Sequence, residues 1–482
     1  MSSRKSDTPP PPQASGAAVG AAIAPSRQVL PASSTASLLR SIRLNAAIPI
    51  ALALLVPISW FVEGERFGAY NQRIVMLIGF NIIMAVSLQL INGFSGQFSL
   101  GHAGFMAVGA YLAAYPAMTY SHRLADPAAC LLFFVSLAIV FAIAGFVLLG
   151  LFLLIRKTRQ IHPSVPMSLL IVLIVWVLTD FAKGSSFAPD SRPAIYIWTH
   201  AVALLVRMFD WLIQVGTSPA AAISHAMPEV LQKPLSYLVL IIGGGLCAGI
   251  VGLVVGMPAL RLRGDYLAIA TLGMAEIIRI VIQNSQPLGG ALGLTGIPKY
   301  TDFVWVYGGA IITTIVIWRL AYSAKGRAIM AVREDEIAAA AIGINTTRQK
   351  VVAFMVGAFF AGVAGAMYGL HERSITPTTF NMTKSIEVVV MVTLGGLGSI
   401  SGAILAAIVL TLLPEILRNI GAEISDYRMI IYSALLILMM LVRPQGLLGG
   451  RELWPRRVAG KQGSRRGFPV QPVATEDRDD RQ

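Results

Sequence analysis

The sequence predicts an all-α polytopic membrane protein, and three observations predict it. Only 13% of its 482 residues are charged, against about 25% in a typical soluble domain. The mean hydropathy is +0.70. Apolar runs of about 20 residues, the length that crosses roughly 30 Å of hydrocarbon, recur along most of the chain. An outer-membrane barrel would show weak alternation over about ten residues instead, and these runs are too continuous for that.

Charge and cysteine content narrow the class further. Lys and Arg number 38 against 24 Asp and Glu, a formal +14. The basic residues sit in loops and tails, where the positive-inside rule accounts for them, so the excess does not call for nucleic acid. Cys130 and Cys247 both fall inside apolar runs. They give no disulfide framework and no zinc spacing, and read as small buried hydrophobes.

Taken in order, residues 1–43 are rich in Pro, Ala, Ser and Gly without a helical period, which predicts a disordered cytoplasmic tail. No removable signal peptide is evident there. Spans are expected at 46–62, 73–92, 98–118, 128–155, 167–182, 235–256, 264–284, 303–320, 350–370, 386–398, 401–416 and 428–442. Arg40 and Arg43 precede the first span, so the N-terminus is expected inside. Counting onward puts Arg156, Lys157 and Arg159 on the same side. Arg261 and Arg263 follow, then Arg327, Arg333, Arg348 and Lys350, and then the basic tail 451–482, so both termini are cytoplasmic. The stretch "AIYIWTHAVALLVRMFDWLIQ" (194–214) would spoil that parity if it crossed. With His200, Arg207 and Asp210 between aromatics, it suits an interfacial helix.

Two glycine-rich interruptions stand out. One is "NGFSGQFSLGHAGFMAVGAYLAAY" (92–115). The other is "GGLGSISG" (395–402), where the run from Ile386 to Glu415 must break to cross twice. Irregular backbone at membrane depth is tolerated only when buried in protein or lining a cavity, and Gly-interrupted segments in two halves of a transporter point to its pathway. "GAYLAA" (109–114) and "GAILAA" (402–407) echo one another after the two breaks. Gly96, Gln97, Ser99, His102, Gly395, Gly396, Gly398 and Ser399 are therefore candidate pathway residues. The other reading is that the glycines only let helices pack closely. Glu276 joins the candidates because it lies near the middle of a span, where a charge is costly. Arg279 stands three residues on, on the same helix face. Either the two form an internal pair that lowers the insertion cost, or they line a hydrated path or meet a partner subunit. His102 has no second ligand at useful spacing for a metal. No phosphate-binding loop, zinc-protease helix or nucleophile elbow is present, so no catalytic constellation and no cofactor is expected.

Between the spans ending at 320 and starting at 350 lies "GRAIMAVREDEIAAAAIGINTTRQK" (326–350). Glu334, Asp335 and Glu336 would occupy a first helical turn. Ala338 to Ala341 favour helix, Gly343 stands where a left-handed cap belongs, and Thr346 with Gln349 has capping-box spacing. A short separate helix is predicted, with a small alanine face that fits either solvent or a groove in another protein.

Four segments then carry a resemblance. "SGQFSLGHAGFMAVGAYLAAY" (95–115) and "PALRLRGDYLAIATLGMAEIIRIVIQN" (258–284) are two. "GRAIMAVREDEIAAAAIGINTTRQKVVAFMVGAFFAGVAGAMYG" (326–369) and "VMVTLGGLGSISGAILAAIVLTLLPEILR" (390–418) are the others. All resemble the permease subunits of branched-chain amino acid ABC importers of the LivM type. The resemblance implies about ten core helices of ABC importer permease type with Gly-broken helices. It divides the core into 44–118 and 235–450, separated by an insertion at 119–234 with about two extra helices. It also implies a bacterial inner-membrane location among membrane lipids. The implied partners are a second related permease forming a heterodimer, two cytoplasmic ATP-binding subunits, and a periplasmic solute-binding protein docking on loops such as 285–302. A coupling helix at 326–343 would meet the ATPases through Arg333, Glu334, Asp335, Glu336, Ala338, Ala339 and Gly343, of which Glu336, Ala338, Ala339 and Gly343 match the family's "EAA…G" pattern. The solute would be leucine, isoleucine or valine, or a related small molecule such as urea, an amide or another amino acid. A secondary transporter using Glu276 as its ion site, or a non-transporting scaffold, are the competing readings.

Overall fold

The computed structural model describes residues 54–64, 68–119, 130–131, 133–135, 229–262 and 264–420, with 433–434, 437, 441–442, 446–448 and 452. The chain divides into two units, Met1–Leu54 and Leu55–Gln482, and the account below concerns the second. Both tails, most of the expected insertion including 194–214, and the expected spans at 167–182 and most of 128–155 and 428–442 lie outside the described residues.

Residues 54–62 are helical. Then follow α1 (Ala69–Leu88), which continues as a π-helical turn Gln89–Phe94, α2 (His102–Thr119), α3 (Glu229–Ala259) and α4 (Asp265–Asn284). A two-residue strand β1 (Leu294–Thr295) precedes α5 (Phe303–Ala321), α6 (Ala324–Glu334), α7 (Glu336–Ala341) and α8 (Thr346–Gly369). Strand β2 (Ser374–Ile375), α9 (Met382–Gly395) and α10 (Ile400–Ile420) complete the order. The helix Ala69–Phe94, α3 from Gln232, α5 and α8 are each long and apolar enough to cross a membrane, and Ile400–Ile416 is a shorter apolar helix. The fold is all-α and polytopic.

Small residues set the packing. α8 lies against α3 and α2. A Cβ placed on Gly109 would sit 2.0 Å from the Gly362 carbonyl oxygen, and one on Gly365 would sit 1.9 Å from that of Met106. Helices in lipid associate through such close backbone approach, because lipid tails are as apolar as Leu and supply no hydrophobic drive. α1 packs on α10, α8 and α5, while α9 pairs with α10. At one end, β1 pairs antiparallel with β2. The Ile297 and Tyr300 amides donate to the Arg373 and Leu370 carbonyls, both at 3.1 Å, which ties the 285–302 loop down.

Several boundaries differ from expectation, each for a local reason. The span expected from 98 begins as a helix only at His102, because Ser95–Gly101 is irregular around Gly96 at φ 68°. α9 starts at Met382 rather than 386 because Asn381 caps it, accepting the Lys384 amide at 3.0 Å. The echoed hexapeptides fall at different depths: "GAYLAA" starts at Gly109 well inside α2, "GAILAA" at Gly402 just inside α10.

Candidate functional site

The first break begins inside an apolar run. α1 widens into the π-turn, a form that is rare and concentrated at functional positions, and this turn carries Gln89 and Asn92, both buried. Gln89 Nε2 donates to the carbonyls of Gly396 at 2.9 Å and Ser399 at 3.2 Å, 307 and 310 residues away. The second break therefore packs directly on the first. A Cβ on Gly93 would lie 2.8 Å from the Gly398 amide. Gly396 and Gly398 turn the chain at φ 105° and 89°, a region that glycine enters without the steric penalty of a side chain.

The two breaks use serine alike. Ser99 Oγ accepts the Gly101 amide at 3.4 Å and Ser399 Oγ accepts the Gly402 amide at 3.1 Å, while the Ser99 amide donates to Asn92 Oδ1 at 3.2 Å. His102 Nε2 lies 2.7 Å from Ser87 Oγ, whose own proton goes to the Met84 carbonyl, so the imidazole proton belongs on Nε2. Both side-chain amide atoms of Gln97, His102 Nδ1, Gln89 Oε1 and Asn92 Nδ2 are buried without a hydrogen-bond partner among the described residues. Unpaired buried polar atoms are uncommon in a folded protein, and these five belong to residues in or next to the first break, whereas Thr313 Oγ1 in α5 is another that lies away from it. No group of three His, Cys, Asp or Glu suited to a metal occurs among the described residues.

The charged segment folds as two helices, not as the single helix expected over 326–343. Ser323 caps α6, its Oγ accepting the Gly326 amide at 3.1 Å. The helix stops at Glu334 because Asp335 is extended and its carboxylate accepts the Ile337 and Ala338 amides at 2.8 and 3.0 Å, starting α7. Glu334 thus ends one helix instead of opening the next, and Asp335 is the cap. Ala339 is buried, whereas Ala338 is exposed between Ile337 and Ile342, themselves 77% and 76% exposed. Gly343 closes α7 at φ 85°. The cap of α8 is Asn345 rather than Thr346, with Oδ1 accepting the Arg348 amide at 2.9 Å. Glu336 pairs with Lys350 at 2.8 Å, joining α7 to α8.

Arg333, at the end of α6, turns towards the breaks. Its Nη1 donates to the Gly93 carbonyl at 2.6 Å. A Cβ on Gly96 would meet its Cγ at 2.8 Å and one on Gly398 its Nη1 at 3.1 Å. One guanidinium on the charged segment thereby bonds the first break and fills the space beside Gly398 in the second.

Glu276 is elsewhere. It sits on α4 with Arg279, whose Nε donates to Glu276 Oε1 at 2.8 Å and whose Nη2 bonds the same oxygen. The pair opens onto a groove of about 600 Å3 between α4 and the start of α9. Of the sequence candidates, then, Gly96, Gly396, Gly398 and Ser399 come together with Arg333, Gln97 and His102 are buried alongside, and Glu276 stands apart.

Sequence reasoning missed several partners. Gln89 and Asn92 were visible as polar residues in an otherwise apolar run. Lys384 bridges Asn81 Oδ1 and Glu387 Oε2, each at 3.1 Å, while Asn81 Nδ2 donates to Thr411 Oγ1 at 2.8 Å, joining α9, α1 and α10. Glu452 reaches back to cap α10, accepting the Ile400 amide at 2.8 Å and the Ser401 amide at 3.2 Å, and bonding Ser401 Oγ. The Leu447 amide donates to the Leu394 carbonyl at 2.7 Å. The C-terminal segment thus straps the second break.

Comparison with known proteins agrees with this architecture. The family described as "Branched-chain amino acid transport system / permease component" matches residues 72–210 and 199–440. The chain is 37% identical over 239 residues to the high-affinity branched-chain amino acid transport system permease protein LivM of Salmonella typhimurium, covering 42% of this chain and 55% of that protein. Over 204 residues it is 33% identical to the LivH permease protein of Escherichia coli, 38% of this chain and 64% of the relative. The probable LivM protein of Methanocaldococcus jannaschii is 25% identical over 309 residues, 57% and 89% respectively. The chain thus spans little more than half the length of the bacterial LivM protein. No solved structure matches it.

Proposed function

The chain belongs to the permease component family of branched-chain amino acid transport systems, and from that premise we propose that it is one membrane half of an ATP-driven importer for leucine, isoleucine, valine or a related small solute. A second related permease completes the pathway, two ATP-binding subunits drive it from the cytoplasm, and a periplasmic binding protein delivers solute to loops that include 285–302. The chain carries no catalytic residues of its own in this reading. It lies in a bacterial inner membrane with both termini inside, and 119–234 is an insertion into the permease core.

The observation that carries the reading is the placement of Arg333, bonded to the first glycine break and lying beside Gly398 of the second. α7, with exposed Ile337, Ala338 and Ile342 rimmed by Glu334, Asp335 and Arg348, is the surface an ATPase groove would hold. Movement of α7 reaches Arg333 through Asp335, and Arg333 bonds the Gly93 carbonyl. A charge-assisted bond of this kind is worth about 1.5–3 kcal/mol, enough to bias two arrangements of the breaks about tenfold or more. Alternating access then follows as the breaks rearrange with the docked ATPases.

The test is uptake by vesicles carrying the full complex. Glu336→Arg combined with Gly343→Trp should abolish ATP-dependent uptake and release the ATPases on purification. Unchanged uptake would sink the coupling assignment, and uptake by the lone chain under an imposed ion gradient would favour a secondary transporter.

A further inference from the structure

We propose that the groove between α4 and the start of α9 is a transient binding site for a free zwitterionic amino acid on its way through the membrane, with Glu276 facing the ammonium and Arg279 the carboxylate. The inference rests on the importer reading and supplies what that reading lacks, a place on this chain where solute is recognised.

Charge and exposure are the first argument. Glu276 and Arg279 lie in the middle of a 20-residue helix, with side chains 40% and 20% exposed into an open groove. A pair meant only to lower an insertion cost gains by closing on itself away from the surface, since ionisable groups at membrane depth face a bundle interior or water. Here one face of α4 packs on the first break, with Thr271 and Ala275 against Gly101 and Gly104. Leu272, Gly273, Glu276 and Arg279 line the groove instead.

Complementarity is the second. Glu276 Oε1 takes two bonds from Arg279, and Oε2 has no hydrogen bond among the described residues. Arg279 Nη1 also donates to Gln283 Oε1 at 3.2 Å, which leaves one N–H each on Nη1 and Nη2 for a carboxylate. Opposite stand Met382 and Thr383 in the first turn of α9, where backbone N–H groups lack intrahelical acceptors and favour a carboxylate. Leu272 and Met382 give an aliphatic side chain apolar contact. An anion site and a cation site side by side, with apolar surface next to them, fit an α-amino acid better than they fit an amine or a carboxylic acid alone.

Connection to the breaks is the third. Thr271 Oγ1, one residue before Leu272, accepts the Leu100 amide at 3.1 Å. Ser385 Oγ, two residues past Thr383, accepts the Ala103 amide at 3.1 Å. Both walls of the groove are thus hydrogen-bonded to the segment around the first break, so a rearrangement there changes the groove's width.

Gly273 supplies the reporter, because a Cβ at this position meets nothing within 4 Å. In the complete complex lacking Cys130 and Cys247, Gly273→Cys should react with a charged, water-soluble thiol reagent. Leucine should slow that reaction about tenfold, while isocaproate, which lacks the ammonium, and isoamylamine, which lacks the carboxylate, should not. Glu276→Gln or Arg279→Gln should remove the protection. Thr383→Cys repeats the measurement from the other wall should Gly273→Cys fail to assemble. Reaction with a lipid-soluble maleimide only would mean that the groove faces acyl chains. Reaction of the lone chain but not of the complex would mean that the second permease fills it. Equal protection by all three ligands, or by none, would remove the zwitterion specificity; each of these results overturns the proposal. Labelling requires no ATP, so an importer reading that fails because the wild-type complex shows no ATP-dependent uptake is distinguished from a groove that fails to recognise leucine.

Discussion

Arg333 Nη1 donates to the carbonyl of Gly93 at 2.6 Å, joining residues 240 positions apart. The same guanidinium lies where a Cβ on Gly398 would be 3.1 Å from it, so one side chain from the charged segment is in register with both breaks. Arg333→Ala should leave the ATPases bound, since the exposed surface of α7 is untouched, yet reduce ATP-dependent uptake about tenfold or more. Arg333→Lys, which keeps the charge but not the fork geometry, should restore part of it. Loss of the ATPases from purified Arg333→Ala complex would make Arg333 a docking contact instead.

Gly365 is the tightest point of the α2–α8 crossing. Gly365→Ala sets a methyl group against the Met106 carbonyl oxygen, 1.9 Å from its ideal position, so the helices must part. Overpacking of this kind costs about 1–3 kcal/mol, and the thermal midpoint in detergent should fall by several degrees. Gly273→Ala, which faces open space, gains the same helix propensity without a clash and serves as the comparison, with a midpoint unchanged or raised.

Glu452 holds the start of α10. Glu452→Ala removes acceptors from the Ile400 and Ser401 amides, a capping loss of about 0.5–2 kcal/mol. Limited proteolysis should cut the chain beyond Leu448 faster in the variant, while cleavage within the 285–302 loop should stay unchanged.

How much of this the sequence disclosed depends on the range of the interaction concerned. The apolar runs at 235–256, 303–320 and 350–370 became α3, α5 and α8, because length and hydropathy alone decide a helix that must satisfy its backbone in lipid. Gly343 could be read as a left-handed cap for the same local reason. Asp335 was misplaced within a helix because its carboxylate bonds two amides ahead of it, and that competition with the helix is a matter of degree in sequence. Asn345 outranked Thr346 as the α8 cap on equally fine grounds. The contact of Gln89 with Gly396 and Ser399 lay beyond any local rule, since no periodicity links positions more than 300 apart. What sequence did offer was two polar side chains, Gln89 and Asn92, in a run that had no need of them.

His371 gives a pH dependence outside the spans. It follows α8, with Nδ1–H donating to the Thr301 carbonyl at 3.3 Å and the ring beside Phe80. Burial pushes its pKa below the ordinary value; the Thr301 bond partly opposes this, and Lys299 adds to it. Below about pH 6.5 the unfolded chain therefore binds a proton that the folded chain refuses. Stability is full above that pH and declines as pH falls towards the lowered value. The thermal midpoint should drop between about pH 7.5 and 5.5, one unit either side of the ordinary imidazole value, and His371→Gln should flatten the drop. An unchanged slope would place the acid sensitivity elsewhere.

The proposal that ATPases drive this permease through the 324–345 segment is the central one. Its most direct measurement is leucine uptake by vesicles holding the chain, its second permease, the ATP-binding subunits and the binding protein, with and without internal ATP. Uptake that requires ATP and is lost in Arg333→Ala complexes that still retain their ATPases is the predicted result. Uptake that proceeds without ATP, or that is indifferent to Arg333, would contradict the account.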